Sequence, residues 1–103
     1  MIQSMAELNV KGIDKCWLED TLNPDQLHLH VTEIPAGTRA HPPHTHAGVE
    51  AFYVLQGSGI IETVGGEVPI QANQAVILDA SRMHGLVNTG DGPMKYVVII
   101  TQS

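Results

Sequence analysis

The sequence predicts an all-β fold, a sandwich or barrel, on three observations. Gly, Pro and Asn punctuate the chain at short intervals, at Gly12, Asn23-Pro24, Pro35-Ala36-Gly37, Pro42-Pro43, Gly57-Ser58-Gly59, Gly65-Gly66, Asn73 and Asn88 to Pro93. The runs between these marks are short and rich in Val, Ile and Leu, which is strand composition. Helical periodicity is almost absent, and about eight or nine short strands account for the length.

Taken in order, SMAELNV near the start has room for one helical turn, and KCWLE around Cys16 is strand-like. In LHLHVTEI (27–34) the alternation is explicit: Leu27, Leu29 and Val31 share one face, His28, His30 and Thr32 the other, as in a half-buried strand. VEAFYVLQG (49–57) and GIIETV (59–64) flank a glycine-containing break, and GEVPI (66–70) follows Gly65-Gly66, so the middle of the chain reads as consecutive antiparallel hairpins. AVIL (75–78), HGLVN (84–88) and KYVVIIT (95–101) complete the set. Val97 to Ile100 is apolar at every position, so both faces of that strand are expected to be covered. Either a dimer interface or the monomer's own interior would do this.

Length and charge narrow the function. At 103 residues the chain is expected to form one domain, spanning 1–103, around a modest core. A net charge of -6, with only five scattered Lys and Arg, argues against a nucleic-acid partner. No apolar run approaches the roughly 20 residues that cross a bilayer. MIQSMAELNVKG lacks the basic start and apolar run of a secretion signal, so the expected location is cytoplasmic. The lone Cys16 has no internal disulfide partner and reads as a packed or semi-exposed thiol rather than a nucleophile.

The chemistry lies in HTHAGVE (44–50). Alternate residues of a strand point the same way, so His44, His46 and Glu50 converge on one face if a strand runs through them, with Gly48 free to absorb a bend. An acidic residue in the apolar run VEAFYVL is costly to bury without a cationic partner. A bound cation supplies one. His84, at the start of HGLVN, is the expected fourth ligand from a neighbouring strand. Three His and one Glu suit a divalent transition metal, Mn, Fe, Ni, Zn or Cu, without selecting among them. Such a set leaves about two positions of an octahedral ion open, unlike a closed structural zinc site.

The segment G37-TRAHPP-H44-T-H46-AGV-E50-AFYVLQ-G57 resembles the first motif of the cupin superfamily, and N73-QAVILDASRM-H84-GLV-N88 is similar to the second. The resemblance implies a small, single-domain cupin β-barrel (a double-stranded β-helix or jelly roll). It departs from the pattern in three places: one extra residue between Gly37 and His44, Asn73 in place of a glycine, and Asp79 and Ser81 in the turn before His84. Asn73 tolerates the left-handed conformation that the glycine would serve.

Other polar residues surround this core reading. If Leu27, Leu29 and Val31 pack inward, His28 and His30 face out; with the opposite parity one of them reaches the cavity as an acid or base. His30 and His41, the latter beside Pro42-Pro43 at the cavity mouth, are the candidate catalytic residues. Phe52, Val54 and Leu86 are expected to line an apolar pocket at the ion, and Arg39 to meet a substrate carboxylate at its entrance. Asn88 is expected to pin a turn by bonding to backbone, and Tyr53 to be structural.

Members of the cupin superfamily catalyse many reactions, and some only bind, so the fold does not deliver the reaction. The expectation is a metal-dependent enzyme for a compact oxygen-rich substrate, a keto acid, enol or sugar derivative, with a lean to dioxygenase or other oxidoreductase chemistry. A non-catalytic ligand-binding or sensing module and a non-redox sugar isomerase or epimerase are the alternatives. A homodimer is expected.

Overall fold

A computed structural model describes residues 26–101. The helical turn expected in SMAELNV, the strand expected around Cys16 and the setting of Cys16 itself fall outside these residues. Within them the structure is all strand: β1 (Leu27–Ile34), β2 (Val49–Gln56), β3 (Ser58–Thr63), β4 (Gly66–Gln71), β5 (Ala75–Asp79), β6 (His84–Asn88) and β7 (Met94–Thr101). Each strand falls on a segment that the alternation and punctuation predict. No helix among the described residues is long and apolar enough to cross a membrane.

The strands form two antiparallel sheets, one ordered β1-β7-β2-β5 and the other β4-β3-β6. Pro69 lies in β4, an edge strand, where the N–H it lacks is not needed by a second neighbour. The core between the sheets is Ile34, Phe52, Val54, Ile61, Ile70, Leu86, Met94, Tyr96 and Val98, with Val76, Leu78 and Ile100 packed against it.

Cross-strand register fixes which side chains share a level. One inward row of the larger sheet runs His28, Ile100, Glu50, Leu78; the next runs His30, Val98, Phe52, Val76. This settles the parity of β1. Its inward face carries His28, His30, Thr32 and Ile34, and its outward face Leu27, Leu29 and Val31. The apolar face of this strand is therefore the outer one, and the histidines point between the sheets.

The same register divides the apolar run of β7. Val98 and Ile100 face the core, whereas Val97 and Ile99 face outward in a row with Leu29, Ala51 and Ile77 or with Val31 and Tyr53. The monomer's own interior thus accounts for Val98 and Ile100. An apolar band crosses the outer face of the larger sheet, and Ile77 within it is 73% exposed.

Asn88 closes the end of the barrel remote from Glu50. Its side-chain amide donates to the carbonyls of Ile34 (3.2 Å) and Gly92 (2.8 Å), and its oxygen accepts from the Gly90 N–H at 2.9 Å. Asn73 takes φ +68° in the tight turn from β4 to β5, the left-handed conformation its position demands.

Candidate metal centre

The segment that holds the two motif histidines is not a strand. β2 begins only at Val49, because Gly48 takes φ +99° and breaks the extended path. Tertiary backbone bonds do the aligning instead. His44 and His84 form an isolated antiparallel bridge, their N–H groups exchanging bonds with each other's carbonyls at 2.9 and 3.1 Å. The His46 N–H donates to the Ala80 carbonyl (2.9 Å), and the Ala80 N–H donates to the Gly48 carbonyl (3.0 Å). The turn before His84 is fixed by Asp79, whose Oδ1 accepts from the Ser81 N–H (3.0 Å) and hydroxyl (2.7 Å). Those bonds hold the Asp79 carboxyl below the usual carboxylate range.

The result brings His44, His46, Glu50 and His84 together, one ligand atom from each lying within 4.8 Å of all the others. That span is little more than twice a metal–ligand bond of roughly 2.1 Å. Glu50 and His84 are buried, His44 and His46 half-buried.

The hydrogen-bond arithmetic of this cluster favours a cation at its centre. His84 Nδ1 lies 2.8 Å from the Arg82 carbonyl, and His46 Nδ1 lies 3.1 Å from the Ala47 carbonyl. A carbonyl only accepts, so each Nδ1 carries the proton. In the neutral imidazole each Nε2 then presents a lone pair, and both Nε2 atoms lie 2.8 Å from the same Glu50 Oε1. Two lone pairs would face a carboxylate oxygen with no proton between them. Protonating both rings would put two cations around one carboxylate, beside His44, whose pKa is already lowered by burial and by His41, His84 and His46. A divalent ion among the four atoms resolves the conflict, and carbonyl-fixed Nδ1–H tautomers are the usual support of metal-bound histidine. The donor set fits a metal ion.

His41 stacks on His44, ring centroids 4.1 Å apart, with its Nδ1 3.2 Å from the Pro42 carbonyl. It is an exposed neighbour of the cluster. Phe52, Val54 and Leu86 are buried on the inward face beyond Glu50, Phe52 packing edge-on against Tyr96 at 5.8 Å. His30 lies on the inward face one row below His28.

Arg39 does not reach the cavity. Its guanidinium binds both oxygens of Glu62 at 2.6 and 3.3 Å. Glu62 pairs with Gly85 on the outward face of the smaller sheet, since Ile61 and His84 point inward. The expected entrance residue is thus an external clamp across β6, over the hydrogen of Gly85, where a Cβ would meet Glu62 Oε1 and Pro43 Cγ at 3.1 Å.

Two groups near the cluster were not anticipated. Tyr96, inward on β7, is hydrogen-bonded to Thr32, and burial, with the charge of Glu50, pushes its hydroxyl up to about 12, so it remains a phenol. The alternation of KYVVIIT, once anchored on buried Val98, would have located it. The other is Arg82, which borders a cleft of about 330 Å³ lined by Thr63, Leu78, Met83 and His84 among others. Nothing in the sequence around Arg82 distinguishes it.

Comparison with known proteins gives the chain its relatives. The family described as "Cupin domain" matches residues 30–100. An oxalate-binding protein of Thermotoga maritima is 33% identical over 58 residues, covering 55% of this chain and 48% of that protein. An L-ectoine synthase of Vibrio cholerae is 41% identical over 59 residues, covering 56% of this chain and 42% of the other. The matched stretch is thus about half the length of these curated relatives or less. A crystal structure of a cupin protein from Bacteroides fragilis superimposes with a TM-score of 0.76 at 20% identity, over 100% of this chain and 84% of the other, a likeness of fold.

Proposed function

The chain belongs to the cupin domain family, and from that premise we propose that it is a metal-dependent enzyme for a compact oxygen-rich substrate such as a keto acid, an enol or a sugar derivative. One observation carries the reading: the Nε2 atoms of His46 and His84 converge on one oxygen of Glu50 while their Nδ1 protons are committed to carbonyls. His44, His46, Glu50 and His84 are the ligands. A divalent ion bound there would supply Lewis acidity and a template for chelation, and iron or manganese would add chemistry with dioxygen.

The chain's own residues contribute the remainder. The Arg82 and Ala47 carbonyls hold the His84 and His46 rings in the ligating tautomer. Phe52, Val54 and Leu86 close the inner side with apolar surface and exclude water. His28 and His30, on the inward face, are imidazoles outside the ligand set, which favours catalysis over passive binding.

The name of the Thermotoga maritima relative favours a second reading, ion-dependent binding of a small carboxylate without turnover. Elemental analysis of protein purified without added metal, followed by oxygen-uptake and turnover assays on enols, keto acids and sugar derivatives, separates the two. Metal with turnover is the expected result. Metal and tight oxalate binding without turnover would establish the second reading, and protein that takes up no metal would end both.

We propose that the homodimer uses the outer face of the larger sheet, a second copy laying its own apolar row Leu29, Ile99, Ala51, Ile77 against this one. Self-complementary sheet faces pack at about 10 Å under two-fold symmetry. Ile77→Glu should convert the dimer to a soluble monomer in sedimentation velocity, because Ile77 is exposed and the charge costs the isolated fold little. A monomeric parent protein would refute the assignment.

A further inference from the structure

The cleft beside His84 has a lining that bears on which ligands the centre takes. Leu78 is the cross-strand neighbour of Glu50, and Thr63 that of His84. The cleft therefore flanks the ligand pair at one strand spacing, about 4.8 Å. Its volume, about 330 Å³, suits a small metabolite. Val64 and Met83 give the rim apolar surface, and Arg82 gives it charge.

Arg82 differs from the other cations among the described residues. Arg39 is bound to Glu62, and Lys95 lies 3.9 Å from Glu33. Arg82 makes no ion pair among the described residues. The nearby Asp79 carboxylate takes two donors from Ser81, and Arg82 is the smallest of the influences on it. Meanwhile the Arg82 backbone carbonyl holds His84 Nδ1 at 2.8 Å, so its guanidinium starts from a point fixed to an ion ligand.

We propose that this cleft is a recognition site for an anionic ligand of the metal centre, a compact carboxylate or dicarboxylate whose outer carboxylate is bound by the Arg82 guanidinium. The inference rests on the proposed metal-dependent function and specifies its ligand class. One end of the ligand meets the ion, and the other meets the planar fork of Arg82, which offers two parallel N–H donors to a carboxylate. Thr63 and Leu78 form the wall between them. In a chain of net charge -6, an uncommitted guanidinium at this mouth also offsets the general repulsion of an incoming anion.

The test is calorimetric titration of oxalate into metal-loaded parent protein, Arg82→Gln and Arg82→Lys, with metal content measured on the same samples. Metal content should be equal in all three, because only the backbone of Arg82 supports His84. Oxalate affinity should fall on the order of tenfold to a hundredfold in Arg82→Gln, and less in Arg82→Lys, which keeps the charge but not the fork. Parent-like oxalate binding by Arg82→Gln would overturn the subsite alone. Loss of metal from Arg82→Gln would also overturn it, by making the side chain a structural support. A metal-loaded parent that takes no oxalate would overturn the carboxylate class, while leaving the turnover assays on enols and sugar derivatives to judge the wider function.

Discussion

His84→Ala and His46→Ala are each expected to strip the protein of metal, with affinity lowered well over a hundredfold, since changes to groups that merely support a ligand already cost about 10–100-fold. The two variants should differ in what else they lose. His46 is a loop residue with its side chain 30% exposed, and its removal leaves Glu50 still in contact with His84. His84 is 2% exposed, on β6, and its removal leaves a cavity beside a buried carboxylate. Elemental analysis should therefore find both variants empty, while thermal unfolding without metal finds His84→Ala the less stable by about 2 kcal/mol or more. Metal contents equal to the parent's would remove these residues from the ligand set. Acid should act in the same direction as the substitutions, because ligating histidines must be neutral and protons compete with the ion as pH falls.

Asn88→Ala is expected to cost about 3 kcal/mol, at a site remote from the cluster. The side chain is fully buried and serves three backbone groups, the Ile34 and Gly92 carbonyls and the Gly90 N–H. Alanine leaves all of them without that partner at the closed end of the barrel. For a domain of this size the midpoint of thermal unfolding should drop by roughly 12–20 °C. Metal content at low temperature should be unchanged, since Asn88 sits at the opposite end of β6 from His84. A loss below about 1 kcal/mol would mean that the Gly90–Gly92 turn finds other donors and that Asn88 is not its pin.

The strands, and the placing of His44, His46 and Glu50 close together, were legible in the sequence because both depend on local spacing, which alternation with Gly, Pro and Asn punctuation encodes directly; His84, 34 residues from Glu50, joins the cluster through the fold. What the sequence obscured was orientation. A period of two separates the faces of β1 but does not say which one meets the core, and the usual assumption, apolar face inward, fails when the outer face is apolar and the cavity is polar. His28 and His30 were consequently free to be read either way. HTHAGVE was read as possible strand, yet its alignment comes from backbone bonds to Ala80 and His84, residues more than thirty positions away. Arg39 shows the same limit: its partner Glu62 is 23 residues distant. An entrance role for Arg39 looked reasonable only while that partner was out of view.

The backbone bonds among His44, His46, Gly48, Ala80 and His84 have a thermodynamic consequence for loading. In a small zinc-dependent domain, folding and metal capture are one event, and much of the ion's binding free energy goes into ordering the chain. Here the segment 44–48 and the segment 80–84 are stitched to each other by main-chain contacts that require no ion, so the loss of conformational entropy has already been met by folding. An ion bound among these four side chains would find their backbone already aligned, and most of its coordination energy would be expressed as affinity.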